Sequence, residues 1–89
     1  MAVLLVTYDL NKPGQDYSDL LKAIKSYTWA RLSESSYAIV TDKTPTTISG
    51  ELKPFLDASD YIYIVNLKRP FWEFGLKEIN EWLEKHLPY

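Results

Sequence analysis

Ala2-Val-Leu-Leu-Val-Thr-Tyr8, closed by Asp9, is β-prone and apolar at odd and even positions alike. A strand with one wet face alternates apolar and polar residues. A strand apolar on both faces is buried on both, so this segment reads as a central strand. A central strand requires neighbours at both of its edges, and the remaining sequence supplies them.

Asn11, Pro13 and Gly14 mark a loop after Asp9. A helix is predicted over residues 17–27. Asp16 stands at its cap and Asp19 favours its positive end. Tyr17, Leu20, Leu21, Ile24 and Tyr27 recur at the helical period, with Lys22 and Lys25 outside that face. Residues 29–33 and 37–41 are two short β-prone runs, and the Ser33-Glu34-Ser35-Ser36 segment joins them as a hairpin turn. Thr44-Pro45 opens a second helix, with Pro at its first position. Ile48, Leu52, Phe55 and Leu56 give its buried side. Pro54 removes an N–H and crowds the carbonyl of Gly50, which predicts a bend or an early end.

Asp60 precedes Tyr61-Ile-Tyr-Ile-Val-Asn-Leu67, a strand by alternation and β-branching, broken by Lys68, Arg69 and Pro70. A last helix is predicted over residues 76–87. Leu76, Ile79, Leu83 and Leu87 lie on one side, with Glu73–Lys77 and Glu81–Lys85 as i,i+4 pairs. The order β-α-β-β-α-β plus a helix predicts the α+β class: a ferredoxin-like βαββαβ sandwich with an added C-terminal helix. One domain is expected over residues 1–89, with a core at 1–67 and a hinge and C-terminal helix at 68–89.

Composition narrows the chemistry. The 89 residues contain no cysteine and one histidine, His86. This excludes a disulfide framework, a thiolate zinc site, a cysteine nucleophile and a multi-histidine site within one chain. The Ser33–Ser36 cluster has no plausible histidine base for serine hydrolysis. No run of about 18 apolar residues is present, so no membrane-spanning helix is expected. The start lacks the basic stretch of a secretory signal, and a cytoplasmic location is the expectation. The net charge of −2 argues against a surface that grips phosphate everywhere.

The 13 aromatic residues, seven of them Tyr, are many for this length. In the expected topology both helices cover one sheet face. The other face carries apolar residues from both the first and the last strand. A second protomer packed sheet to sheet would cover it, as would the Phe71–Phe74 segment with the last helix, in cis or across a dimer. A homodimer is the preferred expectation.

Leu4-Leu5-Val6-Thr7-Tyr8-Asp9-Leu10 resembles the opening strand of the small CRISPR-associated ferredoxin-like dimers, the Cas-two family. The superfamily also contains the virulence-associated protein D toxins. Tyr8-Asp9-Leu10, Pro13-Gly14 and Tyr17 more closely resemble bacterial SinR-like proteins, and Ser35-Ser36-Tyr37 resembles the start of their third strand. The likeness spans about residues 2–67. It implies that Asp9 is the catalytic, metal-binding carboxylate of a Mg²⁺-dependent endonuclease acting on RNA or DNA, paired with a second Asp9 across a homodimer. Mg²⁺ is often held by one or two carboxylates plus water and phosphate oxygens, so two chains can assemble a site that one lacks. Three features differ from the family pattern. Lys12 is the single basic residue of the loop after Asp9, residues 30–35 lack Gln, and the C-terminus is helical rather than a fifth strand.

Other readings stand beside this one. Asp9 can instead organise the loop to Gly14 through local hydrogen bonds. Asp60 is expected near Asp9, either as a turn residue or as the partner of a carboxylate pair. Lys68 and Arg69 with Phe71 and Trp72 either grip nucleic acid or form a buried hinge. His86 is expected exposed in the last turn. The functional alternatives to a divergent or inactive nuclease are a non-catalytic dimeric protein-binding or scaffold module and a ribonuclease toxin of the virulence-associated kind.

Overall fold

The computed structural model describes residues 1–89. The chain runs β1 (Ala2–Asp9), α1 (Ser18–Ile24), β2 (Thr28–Ser33), β3 (Ser36–Thr41), α2 (Pro45–Leu52), a 3₁₀ turn at Lys53–Phe55, β4 (Tyr61–Leu67) and α3 (Lys77–His86). The strands form one antiparallel sheet in the order β2-β3-β1-β4, giving a small α+β fold with β1 inside the sheet. No helix is long and apolar enough to cross a membrane.

Register decides which side chains share a face, because directly opposed residues point the same way. Leu4 opposes Ile39, and Val6 opposes both Tyr37 and Ile64. On their side Leu20 and Ile24 of α1 and Ile48 and Leu52 of α2 complete the main buried cluster. On the other side Leu83 and Leu87 bury Val3 and Ala38. Burial of a leucine such as Leu83 is worth about 1.5–3 kcal/mol. The last helix therefore covers part of the second face in cis. The stacked rings of Trp72 and Phe74 stay exposed and do not serve as that cover.

Local chemistry explains the boundaries. Thr44 caps α2 by accepting the Thr47 N–H at 3.1 Å, with Pro45 next to it. The expected disturbance at Pro54 is the tightening of the chain into the 3₁₀ turn after Leu52. Glu34 and Ser35 make a two-residue hairpin turn, and the register shift between Arg31 and Ser33 marks a bulge.

Five expectations are corrected. The first helix ends at Ile24, not residue 27: the Ser26 and Tyr27 N–H groups bond three residues back to Ala23 and Ile24, tightening the chain out of α geometry. Asp16 accepts the Ser18 N–H at 2.9 Å, one position before the cap itself. In α3, Leu76 precedes the helix and is exposed. The ion pair there is Lys77–Glu81 at 3.9 Å, rather than Glu73–Lys77 or Glu81–Lys85. His86 is half-buried, its ring 4.5 Å from that of Trp82.

Candidate functional site

Asp9 ends β1 opposite Tyr61, the first residue of β4. Alternation places Asp9, Thr7 and Leu5 on the same face as Tyr61, Tyr63 and Val65. This is the half of the second face that α3 leaves open. Tyr61, Tyr63 and Val65 are 61%, 66% and 49% exposed. Asp9 is exposed, and its carboxylate makes no hydrogen bond or ion pair; only its backbone carbonyl is engaged, by the Asn11 side chain at 3.2 Å.

Asp60 has the opposite character. One carboxylate oxygen accepts the Asn11 N–H at 2.7 Å and the other the Asp57 N–H at 2.7 Å. The Tyr17 hydroxyl lies 2.8 and 2.7 Å from the two oxygens. Desolvation pushes the Asp60 pKa up, but the Asn11 and Asp57 N–H groups and the Tyr17 hydroxyl outweigh it and hold the carboxyl below its usual range. The same charge, with desolvation as the larger cause, raises Tyr17. Beside it, the Ser59 hydroxyl and N–H, helped by Lys12 at 3.3 Å, draw Asp57 down to about 2. The loop after β1 is thus tied to the turn before β4. Two carboxylates sharing a site would raise one pKa, and Asp60 shifts the other way. Asp60 lies just before β4, and both of its carboxylate oxygens are taken up by Asn11, Asp57 and Tyr17 rather than turned to Asp9, so the carboxylate pair is not formed.

No group of three or more His, Cys, Asp or Glu side chains converges. Within one chain the donor set for Mg²⁺ is the single free carboxylate of Asp9. That fits the ion only where a second copy brings its own Asp9 or a substrate brings phosphate oxygens.

Lys68 and Arg69 separate in role. Arg69 donates from Nε to the Leu87 carbonyl at 3.1 Å and from its guanidinium to the Glu84 carbonyl, while its N–H meets the Pro88 carbonyl at 2.7 Å. Its charge lies 5.3 Å from the Phe71 ring and 5.0 Å from that of Tyr89. It fastens the C-terminus of α3 to the end of β4. Lys68 is exposed and forms no ion pair.

Sequence reading missed two clusters. Lys43 donates to Glu51 at 2.6 Å and to the Tyr27 hydroxyl at 3.0 Å, and Tyr27 also bonds Glu51. Hydrogen bonds to Glu51 and Tyr27 raise Lys43, and those from Lys43 and Tyr27 lower Glu51. Near the hinge, burial and the Glu84 charge raise Glu73, one of whose oxygens is buried without a partner. Both clusters join residues distant in sequence, so no local motif announces them. A groove of about 500 Å³ also opens between the end of α2 and β4, bordered by Ser49, Leu56, Asp57, Asp60 and Ile62 among others.

Comparison with known proteins finds no matching family model and no matching curated protein.

Proposed function

We propose that this chain is a ferredoxin-like, Cas-two-like homodimer working in the cytoplasm as a protein-binding scaffold, with the open half of the sheet as its contact face. The observation that carries this reading is the row Tyr61, Tyr63 and Val65, apolar in its bulk, exposed, and set along one strand, β4. The strand order β2-β3-β1-β4, with α1 and α2 together on one face, supports the ferredoxin-like arrangement. A dimer would carry twice −2, or −4, and Arg69 is already committed within the chain. Both facts favour a protein partner over a polyanion. Sedimentation equilibrium at micromolar concentration is expected to give twice the 10.4 kDa chain mass. A stable monomer would overturn the homodimer.

Asp9 favours a second reading. Its carboxylate is free, at the end of an inner strand, on the open face. Two copies packed sheet to sheet through that face can bring the two carboxylates together around Mg²⁺. The reading is then an endonuclease on RNA or DNA, or a ribonuclease of the virulence-associated kind. Wild type and Asp9→Ala incubated with RNA and duplex DNA, with Mg²⁺ or Mn²⁺ and with chelator, separate the two. Metal-dependent cleavage lost in Asp9→Ala establishes the nuclease. Absence of cleavage and of salt-dependent binding leaves the scaffold.

A further inference from the structure

We propose that a second copy of this chain adds to the sheet along β4, antiparallel and two-fold symmetric about Ile64. This rests on the homodimer reading above and specifies how the two copies meet.

The first argument is the free edge. β4 pairs with β1 on one side and with nothing on the other. Tyr61-Ile-Tyr-Ile-Val-Asn-Leu67 contains no charge and no proline, the devices by which edge strands avoid pairing. The groove beside it continues toward Pro45, past Ile62 and Ile64, so α2 stands back from the edge and leaves room for a strand.

The second argument is backbone direction. The Tyr8 N–H bonds the Ser35 carbonyl at 3.0 Å, so even residues of β1 aim their peptide groups at β3 and odd ones at β4. Val3, Leu5, Thr7 and Asp9 oppose Leu67, Val65, Tyr63 and Tyr61. The N–H and C=O groups of Ile62, Ile64 and Asn66 therefore point outward. Pairing about Ile64 joins Ile64 to itself and Ile62 to Asn66 of the second copy, using all of these outward groups.

The third argument is register. Centring on Ile64 overlaps all seven residues of β4. It sets Tyr63 against Val65 of the second copy and Tyr61 against Leu67, favourable aromatic–aliphatic pairs. It also sets Asp60 against Lys68 at both ends. Asp60 holds its charge among neutral donors, and Lys68 has no anion. Lys53 is the one cation among the residues that line the groove. The joined sheet would lay the two exposed rows of Tyr61, Tyr63 and Val65 side by side. The two Asp9 carboxylates would stay at least three strand spacings apart, roughly 14 Å.

The absence of cysteine makes the register directly measurable. Tyr63→Cys and Val65→Cys chains, mixed and oxidised, should give mainly the 63–65 disulfide. The non-hydrogen-bonded pair is within bridging range, while 63–63 and 65–65 are a diagonal step further. Asn66→Pro removes only an outward N–H from an exposed position. It should keep the circular dichroism of wild type and raise the dimer Kd at least about tenfold. Lys68→Glu should weaken the dimer in the same sense. A dimer unaffected by Asn66→Pro, or one giving mostly 63–63 or 65–65 bridges, overturns edge pairing and leaves the homodimer standing. A monomeric wild type overturns both.

Discussion

The Tyr17 hydroxyl lies within hydrogen-bond distance of both Asp60 carboxylate oxygens, 2.8 and 2.7 Å away, joining the start of α1 to the start of β4. With Asn11 and Asp57 also donating, one carboxylate organises both segments at this end of the sheet. Asp9 itself is placed by its pairing with Tyr61 and by the Asn11 side chain on its carbonyl, which leaves its carboxylate free.

Replacing Asp60 by Asn should therefore lower Tm by several degrees at pH 7. The folded pKa of Asp60 lies below its unfolded value, so its contribution is present above that value and is lost as pH falls below about 4. Thermal melts of wild type and Asp60→Asn should converge as pH falls through the folded value.

Glu73 shows the reverse sign. Its folded pKa is raised by burial and by Glu84, so its contribution to stability is present at acid pH and lost as pH rises through the folded value. Glu73→Gln should raise Tm at pH 7 and leave it nearly unchanged at pH 4. An equal gain at both values would show that charge repulsion is not the cause.

Leu83 is the buried residue of α3 and packs on Val3 and Ala38. Leu83→Ala should cost about 2–5 kcal/mol in urea unfolding. If the loosened helix uncovers the sheet, binding of an apolar dye should rise at the same time.

Asp9→Ala should leave stability within about 0.5 kcal/mol, because the carboxylate is exposed and unbonded. Equilibrium unfolding checks this. It also makes the variant a clean control for the cleavage assay, since any lost activity cannot be assigned to unfolding.

Local pattern carried much of the fold. The two-sided apolar run at β1 gave its inner position, and β4 appears at Tyr61–Leu67 as alternation predicted. Thr44-Pro45 marked the start of α2, and Pro54 marked the change after Leu52. Local pattern failed where the deciding partner is remote. Tyr27 fits the apolar period of α1, yet it lies outside the helix, with its hydroxyl drawn to Glu51 and Lys43. Glu73 has Lys77 at the spacing for an ion pair, but it precedes α3 and faces Glu84.

The same division holds for the candidate site. Sequence determined that Asp9 closes an inner strand and that this chain has neither thiolate nor histidine-cluster chemistry, because residue type and alternation are local properties. Only the tertiary structure decided that Asp9 is free while Asp60 is bound, that Arg69 is spent on the carbonyls ending α3, and that Tyr61, Tyr63 and Val65 remain uncovered. Each depends on register and on which groups from distant segments arrive first to satisfy a charge or bury a ring. A hydrogen bond across 43 residues, such as that of Tyr17 with Asp60, leaves no periodicity for a sequence to show.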